Sequence, residues 1–99
     1  MLKELDPNLE FKKITEELRN YVVFRDNGLC QICGKSGSEI HHIKYRSHLG
    51  KNFANNLITL CTLCHTGKTG VHGIKEKGIF EILTLKVKRN ERKFRELMI

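Results

Sequence analysis

Four cysteines in two pairs, Cys30-Gln31-Ile32-Cys33 and Cys61-Thr62-Leu63-Cys64, carry the most restrictive chemistry in this sequence. A C-x-x-C turn presents two thiolates to one tetrahedral ion, and a second such turn completes four ligands. The rival reading is a redox-active pair beside an incidental one, and it leaves the complete shell of donors unexplained. The spacing predicts a four-cysteine zinc site. Its role is structural, because a shell of four thiolates keeps no open position for a substrate. The gap between Cys33 and Cys61 exceeds the usual zinc-ribbon spacing, so a folded insert must lie between the pairs.

That insert holds the adjacent pair His41-His42 and then Asn55-Asn56, and His65 follows Cys64 directly. Hydrolysis of a phosphodiester needs a nucleophile made from water and an electrophile that stabilises charge on the phosphate and leaving oxygen. Neighbouring histidines on a strand point to opposite faces, so one can bind a metal while the other receives a water proton. A neutral imidazole, with an ordinary pKa near about 6.5, suits the base role around neutral pH. His65 has a second reading as a zinc ligand in place of Cys64, but four cysteines already fill that shell.

Read as one unit, Cys30 to Cys33, Glu39-Ile40-His41-His42-Ile43, Asn55-Asn56-Leu57-Ile58-Thr59-Leu60, Cys61 to Cys64 and His65 closely resemble the HNH endonuclease family in its zinc-containing form. With the lead-in Arg25-Asp26-Asn27-Gly28-Leu29 and the tail from Gly67-Lys68-Thr69 to His72, the resemblance runs over roughly residues 25–72. It implies an α+β fold, a small ββα-metal (His-Me finger) core with flanking helices. It further implies that His42 is the general base, that His41 and His65 bind a catalytic divalent ion, and that Asn56 braces the loop and orients the base. Asn55 competes with Asn56 for that task; the following Leu57 favours Asn56. Arg46 matches a basic position near the scissile phosphate, with a phosphate-binding or leaving-group role. Lys44 and Lys68 are candidate contacts to the nucleic-acid backbone, and Lys51 is read as ordinary surface charge. His72 is either a third ligand, a phosphate contact or a solvent-facing histidine, and His48 is read as a surface loop residue.

His41 departs from family members that carry Asp at that position. A pair of imidazoles is softer than an Asp–His pair, so Mn²⁺, Ni²⁺ or Co²⁺ should serve at least as well as Mg²⁺, and Zn²⁺ could bind tightly and inhibit. Resemblance to small phage nucleases that work beside the DNA-packaging terminase adds DNA as substrate and a terminase as candidate partner. A mobile element is the alternative setting. A single centre of this kind cuts one strand at a time, so nicking is expected from a monomer and double-strand cleavage from a dimer or two successive events.

The wider composition agrees with a polyanionic partner. The chain has 99 residues, 18 Lys and Arg against 11 acidic residues, and a formal net charge of +7, so phosphates would be attracted by counterion release. Charge alone does not separate a nuclease from a zinc-stapled binding module; the histidines and Asn56 do. Nothing near Met1 resembles a signal peptide and no apolar run approaches a membrane span, so a cytoplasmic protein of a bacterial or phage-infected cell is expected, without a membrane partner. In a reducing compartment, paired C-x-x-C motifs are metal ligands rather than crosslinks.

The elements that must position these residues follow from periodicity. The whole chain is read as a single domain. Asp6-Pro7 resembles a helix start, and Phe11, Ile14, Leu18, Tyr21 and Val22 recur at helical spacing, which predicts a helix over about 7–25 ended by Asn27-Gly28. Glu39 to Tyr45 and Leu57 to Leu60 read as short strands joined by a polar loop, and His65 opens a further helix. The core spans about 26–72, followed by an extension over 73–99. In that extension Ile79 to Val87 is a strand or part of a helix, and Asn90 to Met98 is helical. Its basic run, Lys86, Lys88, Arg89, Arg92, Lys93 and Arg95, is either a solvated face or a phosphate-contacting one.

Overall fold

A computed structural model of the chain describes residues 5–44, 50–66 and 79–97. Arg46, His48, Lys68 and His72, all singled out above, lie outside the described residues. The elements are helix α1 (Glu16–Arg25), strand β1 (Glu39–His42), a single 3-10 turn (Ala54–Asn56), strand β2 (Leu57–Leu60), helix α2 (Thr62–Thr66) and helix α3 (Ile79–Leu97). The two strands form an antiparallel pair against which α2 packs. With the four-cysteine cluster, this small α+β arrangement is a ββα-metal architecture.

Helix α1 begins at Glu16 rather than at Pro7. The side chain of Thr15 accepts from the backbone N–H of Leu18 at 3.1 Å, and Glu16 and Glu17 occupy the positive first turn. Asp6 turns the chain locally instead: its carboxylate accepts from Asn8 N at 2.9 Å and its carbonyl from Leu9 N at 3.0 Å. Such side-chain competition for backbone donors favours a turn over a helix. Phe11 and Ile14 still pack on the core, but from non-helical backbone, and Phe11 forms an isolated antiparallel bridge with Asn52. At the other end Asn27 (φ 60°) and Gly28 (φ 67°) take the left-handed backbone that stops the helix.

All four residues of β2 are buried, because both faces of the hairpin are covered. Leu57 joins Leu18, Tyr21, Val22, Ala54 and Phe94 on one side, while Ile58 and Leu60 join Cys30, Ile43, Leu83 and Val87 on the other. Strand pairing sets Glu39 opposite Leu60, Ile40 opposite Thr59, His41 opposite Ile58 and His42 opposite Leu57. By strand alternation, Glu39 and His41 share the second face, and Ile40 and His42 the first. The segment Ile79 to Val87 is helical, continuous with the rest of α3, which buries Leu83, Val87, Asn90, Glu91 and Phe94 at intervals that make one helix face.

A polar cluster binds the helices to the hairpin. The buried Arg25 guanidinium donates to both oxygens of Asp26 (2.9 and 3.0 Å), to Glu91 (3.1 Å), and to the carbonyls of Ala54 (2.8 Å) and Leu57 (2.7 Å). Asp26 in turn accepts from Thr59 N and from Asn90 Nδ2, both at 2.9 Å, and Glu91 accepts from the Tyr21 hydroxyl at 2.7 Å. Buried charges are tolerated when paired and hydrogen-bonded in this way.

Candidate metal and catalytic centre

The four thiol sulfurs lie within 4.8 Å of one another, two from the turn after α1 and two flanking the start of α2. Cys33 Sγ and Cys61 Sγ are 3.7 Å apart. A tetrahedral zinc ion with Zn–S bonds of about 2.3 Å requires sulfurs about 3.8 Å apart, so the cluster fits zinc. Burial pushes the Cys30 thiol up, but backbone donors from Cys33, Cys61 and Ile32 outweigh it and bring it down to about 6. Cys64 is pushed up to about 12 by burial and by the neighbouring thiols Cys61, Cys30 and Cys33. Thiols that crowd one another so strongly cannot all ionise without a cation between them. Gly37 lets the hairpin approach this cluster: a Cβ there would meet the carbonyl carbon and oxygen of Leu60 at 2.9 Å and Cys61 N at 3.0 Å.

Across the same face of β1, His41 and His65 bring their rings to a centroid distance of 5.2 Å, edge to face at 74°. His41 is 3% exposed. His65 Nδ1 sits 2.9 Å from Glu39 Oε1, and the other Glu39 oxygen accepts from the Thr62 hydroxyl. These two hydrogen bonds, Thr62 first, hold the Glu39 carboxyl below its ordinary range. With Nδ1 engaged by a carboxylate, an ion would meet the His65 ring at Nε2; such carboxylate–histidine arrangements orient metal ligands and raise their basicity. Among the described residues the cysteines form the one cluster of three or more ligating groups, and His41 and His65 lie outside it.

His42 ends β1 on the opposite face, and its Nε2 lies 2.8 Å from Asn52 Oδ1. Asn56 acts elsewhere. Its Oδ1 accepts from Lys44 N at 2.8 Å, and its Nδ2 donates to the carbonyls of Lys44 (3.1 Å) and Lys51 (3.0 Å), which clamps the two ends of the loop between the strands. Asn55 donates to Asn8 at 2.7 Å. Lys44 and Lys51 line an open groove with Phe53 and Asn56, and Lys51 also pairs with Glu10 at 3.6 Å on the surface.

The family model for HNH endonuclease matches over residues 30–70. Residues 30–70 are thus similar to the HNH endonuclease family. The match covers less than half of the chain and takes in both cysteine pairs, His41, His42, Asn56 and His65. No curated protein and no solved structure gives a match. Residues 30–70 set His41 and His65 together on one face of β1, His42 on the other, and contain the four-cysteine cluster. Two side chains in this region escaped the sequence reading. Glu39 was legible in principle, since it stands two residues before His41 and so shares its face. Asn52 was not, because a polar residue in a polar loop carries no periodic signal.

Proposed function

We propose that the protein is a metal-dependent endonuclease that hydrolyses DNA phosphodiester bonds, with His42 as general base and His41 and His65 as ligands of a divalent ion. The observation that carries the proposal is the meeting of His41 and His65 at 5.2 Å beside His42 within an HNH segment. The donor set fits such an ion: two imidazoles, one backed by the Glu39 carboxylate. When bound, the ion supplies Lewis-acid polarisation of the phosphate and stabilises charge on the departing 3′ oxygen. Two nitrogen donors favour Mn²⁺, Ni²⁺ or Co²⁺ at least as much as Mg²⁺.

His42 takes one proton from water as the water oxygen bonds to phosphorus, and the bond from phosphorus to the 3′ oxygen breaks. Asn56 keeps the strand-connecting loop closed through Lys44 and Lys51, which fixes where His42 stands relative to that loop. Lys44 and Lys68 contact backbone phosphates without reading sequence, and Arg46 binds the scissile phosphate. The zinc held by Cys30, Cys33, Cys61 and Cys64 stays structural. His72 is a candidate third ligand. One centre makes one cut, so the expected product is a nick, and the resemblance to small phage nucleases extends the proposal to a terminase partner.

The test is cleavage of supercoiled plasmid across a divalent-metal series, followed by EDTA, with His42→Ala alongside. Nicked circles formed with Mn²⁺ and lost with EDTA are expected, and His42→Ala should be slower by about 10²- to 10⁴-fold, the usual contribution of a general base. Plasmid retarded in a gel yet uncut under every metal would leave a zinc-stapled DNA-binding module instead.

A further inference from the structure

We infer that Asn52 is a positioning residue that fixes the tautomer of His42, so that Nδ1 is the atom that takes the proton from water. The inference rests on the reading of His42 as base and adds to it an atom and a mechanism. Asn52 is 5% exposed and is bonded on three sides. Its backbone carbonyl accepts from Phe11 N at 3.0 Å, its Nδ2 donates to the Phe11 carbonyl at 3.0 Å, and its Oδ1 stands 2.8 Å from His42 Nε2.

The orientation of the amide follows from chemistry. A flipped amide would set Oδ1 against the Phe11 carbonyl, two acceptors face to face, and would turn a donor NH₂ toward the ring. The amide oxygen therefore faces His42, and an amide oxygen can only accept. The ring nitrogen opposite it must donate, so neutral His42 carries its hydrogen on Nε2. The lone pair is then on Nδ1, the nitrogen nearer the backbone. A base whose tautomer is wrong cannot accept a proton at the required place, however well the ring is aimed.

Phe11, which anchors Asn52, lies outside residues 30–70, in the extended stretch ahead of α1. The chain before the HNH segment thus takes part in setting the base, through two main-chain groups and one amide.

Long-range ¹H–¹⁵N spectra of the zinc-loaded protein in mildly alkaline buffer read the tautomer directly, with His42 assigned by its absence in His42→Ala. The expected result is the Nε2–H form in the wild-type protein and in Asn52→Asp, whose carboxylate still accepts from Nε2. Asn52→Ala should show a mixture of tautomers or the Nδ1–H form. In plasmid nicking with Mn²⁺, Asn52→Ala should lose about 10- to 100-fold in kcat with KM little changed, and Asn52→Asp, which keeps the acceptor for Nε2 but loses the donor to the Phe11 carbonyl, should recover part of it. A wild-type His42 in the Nδ1–H form overturns the inference, and does so even if Asn52→Ala does not fold. An unchanged tautomer in a folded Asn52→Ala overturns it as well. The spectra need no substrate, so they decide the tautomer independently; a His42→Ala protein that still nicked DNA would instead remove His42 as base.

Discussion

Glu39 and Asn52 do comparable work on two different rings. Each touches a histidine at one nitrogen, at 2.9 Å for His65 and 2.8 Å for His42, and so engages one of the two nitrogens of its ring. If His65 binds the divalent ion as proposed, the consequence for Glu39 is metal affinity. Glu39→Gln keeps the shape and removes the carboxylate charge, so Mn²⁺ binding by calorimetry should weaken by about 10- to 100-fold while zinc content stays unchanged. Unaltered Mn²⁺ affinity would separate Glu39 from the metal and leave it as a cap on α2. Asn56 acts on backbone rather than on a ring. Asn56→Ala removes three hydrogen bonds to Lys44 and Lys51, and each is worth about 0.5–1.5 kcal/mol net, so melting should fall measurably and proteolytic nicking between the strands should rise.

At the scale of elements, the hairpin and the zinc turns depend on close backbone approach at Gly37. Gly37→Ala forces a methyl group into the main chain of Leu60 and Cys61, where nothing flexible can yield. The expected cost is about 1–3 kcal/mol, read from urea unfolding of the zinc-loaded protein. A neutral result would mean that β2 and the cysteine turn slide past each other easily. Helices α1 and α3 meet through Tyr21, Arg25 and Glu91, and this contact has a pH signature. Burial, the hydrogen bond to Glu91 and the Glu91 charge, opposed by Arg25 and Arg95, raise the Tyr21 phenol well above its ordinary value. A raised folded value means that this contribution is complete below the unfolded pKa of about 10 and is lost as the pH climbs beyond it. Stability should therefore decline above about pH 10, with phenolate absorbance of Tyr21 appearing only as the chain unfolds, and Tyr21→Phe should lack that part of the decline.

The legibility of these elements varied with the kind of signal. Both strands and the cysteine pairs were readable, because β-branched runs bounded by turns and metal-ligand spacing are local patterns. The start of α1 was not. Phe11 and Ile14 fit a helical repeat, but the Asp6 side chain captures the backbone N–H of Asn8 in a local turn, and Phe11 pairs with Asn52 from far along the chain. Ile79 to Val87 was ambiguous because a short apolar run fits strand or helix; burial of Leu83, Val87, Asn90 and Phe94 on one face shows the helical period. The placement of His41 and His42 on opposite faces of β1 followed from strand alternation, whereas the Asn52 contact needed three dimensions.

For the molecule as a whole, two devices take the place of a large core: the four-cysteine cluster on one side of the hairpin and the Arg25 network on the other. Removing zinc with a strong chelator should collapse α2 and the turn after α1, seen as loss of helical and near-ultraviolet dichroism that zinc restores. Glu91→Ala leaves Arg25 short of a buried counter-charge and should cost about 3–5 kcal/mol in urea unfolding. Retained stability in that variant would show that Asp26 alone satisfies the guanidinium.

The Arg25 network has a bearing on protein engineering. A chimera that borrowed only residues 30–70 would import the cysteines and histidines but leave behind Arg25, Asp26 and Glu91, along with Phe11 and the apolar faces of both long helices. The transplant would arrive with its reactive groups and without the struts that hold them apart. A portable module of this protein would begin before Phe11 and continue through Phe94, and any host intended to receive a shorter piece must supply its own guanidinium at the start of β2.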